Sequence, residues 1–222
     1  LGALAKSNAV LDNDSEALSN YQKRISLLKE VSSENVISDI ADTYDELASL
    51  LFKLGRNEES IGCYQKGISF IVDDEDSRSL LSGMYYRLSM VQRDTEDYTS
   101  AIENMQKCIA IQNTLENITD DILSDDYQVL GMCYAKSEQY ADAESALVKA
   151  IELNPEDNIV RMNRLLNQMA YTSKMLEKYD ESVEYYKKQI VLLESITDQD
   201  VLSVVADTCD DLAGLLYQLD RN

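Results

Sequence analysis

Side chains able to do acid–base or metal chemistry are plentiful here in one class only. Asp and Glu number 41, against 20 Lys and Arg, and there is no His in 222 residues. That removes His-dependent acid–base and nucleophilic mechanisms and the commonest metal ligand. In "DNDSE", Asp12, Asp14 and Glu16 have the alternate spacing that opens a calcium loop. The loop then fails, because Ala17 stands where a glycine must turn it and Lys23 where a bidentate Glu must close it. Cys63, Cys108, Cys133 and Cys209 lie far apart with no CxxC pair. Each falls on an apolar position of a helical pattern and reads as a small core residue rather than a metal ligand or disulfide half. Free thiols of this kind fit a reducing, intracellular compartment, cytoplasmic or nuclear. No glycine loop for phosphate is present, and "DDED" at 73–76 reads as a solvated turn. We therefore expect no catalytic, cofactor-binding or metal-binding residue, no cofactor, and no enzyme. The chemistry that remains is recognition.

Recognition is biased by charge. The net charge is −21, which repels nucleic acid and anionic membranes and favours a protein partner with some basic character. No apolar run approaches the roughly 20 residues of a membrane span. "LGALAKSNAV" has neither an initiator Met nor a signal-like core, so we expect an excised piece of a longer protein. Seven Gly and one Pro are too few for a turn-rich β fold and point to helices.

The elements that would position recognition residues are set by a recurring frame. A small residue appears at Ala17, Ser60, Ala101, Ala143 and Ser182, with gaps of 43, 41, 42 and 39 residues. Four positions after each comes a large residue: Tyr21, Tyr64, Met105, Leu147 and Tyr186. Preceding helices carry matching pairs at Leu4-Ala5, Leu47-Ala48, Leu88-Ser89, Leu130-Gly131, Met169-Ala170 and Leu212-Ala213. Two antiparallel helices approach closely only where small residues stand at the crossing, and large ones fill the gaps a turn away. "SDIADTYDELASLLFKLGRN" and "SVVADTCDDLAGLLYQLDRN" lie 165 residues apart and share eleven or more positions. Short polar links between pairs ("SSEN", "DDEDS", "NITDD", "NPEDN" and "SITDQD") supply N-cap residues. Helical pairs are expected at about 1–33, 34–75, 76–117, 118–156 and 157–198, with the first helix of a further repeat at 199–222 and the whole of 1–222 forming one array.

"GMCYAKSEQYADAESALVKAIELNP", with Leu130-Gly131, Tyr134, Tyr140, Ala143, Leu147, Ala150 and Pro155, resembles the tetratricopeptide repeat. A repeat of about 41 residues, rather than the common length of about 34, resembles the long-helix class seen in kinesin light chains and Pins/LGN-type arrays. The resemblance implies an all-α, right-handed superhelical solenoid of antiparallel helix pairs. It also implies a concave groove lined by the first helix of each pair.

The groove positions away from the packing set are Tyr86, Arg87, Met90 and Arg93 in one pair. In the next they are Asp125, Gln128, Met132 and Lys136, and then Arg164, Asn167, Gln168, Tyr171 and Lys174. Acidic groups flank them: Asp42, Asp45, Glu46 and Ser49 early, Asp207, Asp210, Asp211 and Gly214 late. Tyr and Arg are common binding anchors and Met adapts to varied apolar shapes. The carboxylate clamp of chaperone-tail binders is not expected, since Asp45 and Ser49, or Tyr86 and Met90, occupy its places. Arg164 and Gln168 match its last element in part. The expected function is a scaffold that holds a peptide segment or helix of another protein in the groove. The alternative is a structural array that associates with itself or with other domains. The last helix is expected to expose Leu212, Leu215 or Leu216.

Overall fold

A computed structural model describes residues 14–31, 35–72, 74–194 and 201–220. Among them are ten α-helices and no strand. They are α1 (Asp14–Leu28), α2 (Asn35–Lys53), α3 (Asn57–Phe70), α4 (Arg78–Asp94), α5 (Tyr98–Gln112), α6 (Asp120–Lys136), α7 (Tyr140–Leu153), α8 (Ile159–Met175), α9 (Tyr179–Glu194) and α10 (Val201–Leu219). The fold is an all-α helical repeat. Its helices fall into two compact units, residues 1–117 and 118–222. The first holds α1 and the pairs α2–α3 and α4–α5; the second holds α6–α7, α8–α9 and α10. The first helix expected before Asp14, with Leu4-Ala5, lies outside the described residues.

The small-residue frame is the floor of every pair. Ala17, Ser60, Ala101, Ala143 and Ser182 are all 0% exposed, and the large residues four positions on are buried beside them. Gly131 marks a close first-helix crossing. A Cβ there would lie 2.8 Å from Leu147 Cγ and 3.3 Å from the Ala143 carbonyl oxygen. Where the frame uses serine, its hydroxyl is satisfied across the crossing: Ser60 donates to the Ala48 carbonyl and Ser182 to the Ala170 carbonyl, both at 2.7 Å. Lysines of second helices lie over tyrosines of first helices, Lys107 over Tyr85 and Lys149 over Tyr127. These contacts are cation–π in kind and cover the ring while leaving the charge near solvent.

Within pairs, the turn is closed by backbone bonds, to which Asp97 adds a side-chain cap on the Ser100 amide. Gly55, Glu96, Glu138 and Glu177 take positive φ, between 61° and 73°. The next amide in each case, that of Arg56, Asp97, Gln139 or Lys178, donates to a carbonyl five residues back at 2.9 Å. These are Schellman ends, which bring the second helix back against the first. Between pairs, side-chain caps do appear as expected: Thr119 accepts from the Ile122 amide and Asn158 from the Arg161 amide. α7 ends at Leu153, just before Pro155. α3 ends in the same extended conformation at Ile71 without a proline, so the proline is not required for this turn.

Two expectations are corrected. Leu215 is 1% exposed, buried against Ala170, Val183 and Tyr186, whereas Leu216 is 44% exposed. Cys209 is exposed rather than in the core, because α10 packs on α9 through its Leu215 side and Cys209 lies off that stripe. The remaining cysteines follow the frame, Cys108 and Cys133 buried and Cys63 half-buried.

Candidate partner-binding surface

The recognition residues sit on first helices, and each unit arranges them differently. In the first unit, Arg87 of α4 reaches back to α2 and bonds Asp45 through two nitrogens, at 2.9 and 2.8 Å. Burial raises the Asp45 carboxyl above the ordinary carboxylate range despite the opposing pull of Arg87. Arg87 therefore serves to tie two neighbouring first helices together. Arg93 bonds its neighbour Asp94, while Tyr86 and Met90 are half-buried on the same helix. Ser49, on the α2 face, shares a 2.9 Å hydrogen bond with the Tyr64 hydroxyl.

The second unit brings several of the expected residues together. Met132 and Lys136 of α6 and Asn167, Gln168 and Tyr171 of α8 line one cavity of about 250 Å³, with Gly131, Ala135, Leu147 and Thr172 completing it. The helix spacing is set by the frame itself, because Gly131 lets Leu147 come up under α6. Gln128 is buried and its amide faces the Gln168 oxygen at 3.4 Å; it therefore serves the α6–α8 junction. Tyr171 is 47% exposed and meets Tyr140 edge to face, with centroids 6.5 Å apart. Arg164 and Asn167 are exposed and Lys174 is half-buried. At the other end of the junction, Arg161 is 8% exposed and pairs with Asp121 and, at 3.6 Å, with Asp125. Asp125 thus lies beside an internal cation. Arg161 was not among the expected residues, and nothing in its local sequence separates it from an ordinary first-turn residue.

An apolar cleft, a rim of amides, one aromatic face and one cation can hold a side chain and bond a peptide backbone. They offer no nucleophile–base pair. Among the described residues no group of three or more His, Cys, Asp or Glu is placed to hold a metal ion. No helix among them is long and apolar enough to cross a membrane.

Tetratricopeptide repeat family models match residues 80–156 and 41–70. These two stretches carry tetratricopeptide repeats. Solved structures agree on the fold. RapI in its apo form superposes with a TM-score of 0.76 at 16% identity, over 90% of this chain and 55% of that one. A putative kinesin light chain from Podosopora anserina, with nearly identical TPR-like repeats, gives 0.69 at 12% identity, over 89% and 95%. YrrB, described as a TPR protein with an unusual peptide-binding site, gives 0.65 at 15% identity, over 93% and 90%. Among curated proteins, nuclear autoantigenic sperm protein of Homo sapiens is 26% identical over 104 residues, which is 47% of this chain and 12% of that protein. The matching region thus spans about an eighth of that relative's length. The tetratricopeptide frame accounts for the 0% exposure of the five small residues and leaves the first-helix faces to differ from repeat to repeat.

Proposed function

We propose that this chain is a protein-interaction scaffold that captures a segment of a partner protein on its first helices. The tetratricopeptide fold supports such a scaffold in general. The observation that carries the finer reading is the α6–α8 cavity, where Met132, Asn167, Gln168 and Tyr171 converge around space for a partner side chain. A segment lying across it would seat an apolar side chain against Met132 and Tyr171 and bond its backbone to Asn167 and Gln168. Arg164 and Lys174, ten positions apart on α8, are roughly 15 Å apart along the helix and would meet acceptors or carboxylates on that segment. The net charge of −21 favours basic residues elsewhere in the partner. YrrB's peptide-binding site is consistent with this reading.

The test uses a displayed library of random peptides selected on the chain, with affinities of the selected peptides measured by fluorescence anisotropy. Tyr171→Ala and Asn167→Ala, both at exposed positions, should each weaken binding about tenfold while far-UV circular dichroism stays unchanged. The double reversal Arg164→Glu/Lys174→Glu should weaken it further at low salt than at high salt. Equal affinity of the parent and all three variants for every selected peptide would place the binding surface elsewhere.

A further inference from the structure

The second helices of the second unit enclose a groove of their own. α7 and α9 each pack on α8, and between them a cavity of about 730 Å³ opens over Met162 and Leu166 of α8. Its walls carry Val148 and Ile151 on α7 and Val191 on α9. Val148 is 39% exposed and Val191 68%. Val148 stands five positions after the small residue of its pair, and Val191 nine positions after its own. In the other pairs the first of these positions holds Gln22, Gln65, Gln106 and Lys187, and the second holds Ser26, Ser69, Ala110 and Glu152. Every one of them is exposed. Exposure therefore belongs to the position, and a large apolar residue takes it only in this groove.

The pair that follows does not close such a groove. In the first unit α1, α2 and α3 build the same one, lined at matching places by Gln22, Ser26 and Lys66. It stays open, at about 420 Å³, although α4 and α5 follow in that unit. One frame thus makes a polar-walled groove there and an apolar one between α7 and α9.

The walls also decide what fits. The α7–α9 lining holds no Ser, Thr, Asn or Gln, so it lacks the amides that Asn167 and Gln168 present in the α6–α8 cavity. A helix bonds its own backbone and needs none. On α9, Lys187 bonds Glu184 at 2.9 Å and Lys188 lies over the Tyr185 ring. On α7, Glu152 is exposed and no cation reaches it among the described residues. The charge left open at the rim is therefore negative, and it complements a cation.

We propose that this groove docks an amphipathic helix of a partner protein. Its aliphatic stripe lies against Val148, Met162 and Val191, and a lysine or arginine beside the stripe meets Glu152. This surface belongs to the second helices and is separate from the α6–α8 cavity.

The probe is a displayed library of helices with leucine fixed along one face and the flanking positions randomised. Helices selected on the full 222-residue chain are synthesised, with affinity read by fluorescence anisotropy and the binding region by hydrogen exchange. They should carry a basic residue beside the stripe, and new protection should fall on α7, α8 and α9. Val148→Gln/Val191→Ser installs residues that other pairs use, so circular dichroism and the urea midpoint should hold while affinity drops about tenfold or more. Glu152→Lys should weaken binding most at low salt, and replacing the peptide's basic residue with Glu should recover part of that loss. Tyr171→Ala should leave this binding intact, which separates it from the proposed function. Protection confined to other helices, or equal affinity for the parent, the double variant and Glu152→Lys, would overturn the proposal. So would sedimentation showing that the parent chain self-associates and the double variant does not, since a second copy would then be the occupant.

Discussion

Two helical glycines make opposite predictions for one substitution. Gly→Ala in a helix interior gains about 1 kcal/mol from propensity alone, because alanine restricts the unfolded backbone more. At Gly62 in α3 a Cβ meets nothing within 4 Å, so that gain should appear in full. At Gly131 in α6 the Cβ would stand 2.8 Å from Leu147 Cγ and 2.9 Å from Cδ2. Leu147 is 0% exposed and rests against Ala150, Leu165 and Met169, so moving it away gives up those contacts. Overpacking of this kind costs about 1–3 kcal/mol, which offsets the propensity gain or exceeds it. Gly131→Ala should therefore be neutral or destabilising by up to about 2 kcal/mol, and Gly131→Leu worse. The gap between the two alanine variants should be about 1–3 kcal/mol, or several degrees in Tm for a chain of this size. Repeat chains can unfold in parts, so urea midpoints should be paired with hydrogen exchange of α6 and α7 amides. Leu147→Ala should cost less in the Gly131→Ala background than in the parent, because it removes the clashing atoms. If Gly131→Ala raises the midpoint as much as Gly62→Ala does, the crossing at Gly131 is not close and the packing argument fails.

Replacing Glu138 with Gly should stabilise the chain by about 1 kcal/mol, since a non-glycine residue at φ 63° strains its Cβ; an unchanged urea midpoint would count against strain at that turn. Acid should act through Asp121, whose carboxyl is held below the ordinary carboxylate range first by its hydrogen bond from Arg161 and then by Asn158. Its contribution is thus present in full above the ordinary carboxylate pKa of about 4 and is lost as pH falls through the lowered folded value. Asp121→Asn should flatten the acid limb of the stability curve, and an identical limb in both proteins would refute the assignment.

What could be read from sequence was the packing frame, and the reason is volume. A helix crossing tolerates only Ala, Ser or Gly, so Ala17, Ser60, Ala101, Ala143 and Ser182 announce themselves at repeat spacing and prove fully buried. The turns inside pairs do not announce themselves. Only Gly55 marks its left-handed residue; Glu96, Glu138 and Glu177 do the same work with ordinary surface side chains. The bonds that close those turns run between backbone atoms, which every residue has. The surface was half legible. Periodicity puts Arg87 on the outer face of α4, but it carries no information on whether a long side chain will find an acid 42 residues earlier. Gln128 fails in the same way, because burial of a polar residue depends on the next first helix and not on its own.

The same aspartate therefore has two fates in one chain. At Asp45 the following repeat supplies an arginine, and the carboxylate becomes part of the scaffold despite the cost of its burial. At Asp210 the surrounding α10 sequence is kept, including the small residues of the packing stripe, yet that stripe is exposed and no cation reaches the acid among the described residues. A solvated face under no packing demand has no physical need for alanines at a helix-crossing interval, and charged residues would serve solubility better. Ala206 and Ala213 thus repeat the small-residue frame that Ala41 and Ala48 set in α2. The α6–α8 cleft argues in the other direction: there the small residue is already used by Leu147, and what stays open is a rim of amides and one tyrosine, suited to an extended segment. Where the crossing is filled from within the unit, as Leu147 fills it at Gly131, the first-helix face beside it is what remains for the proposed segment.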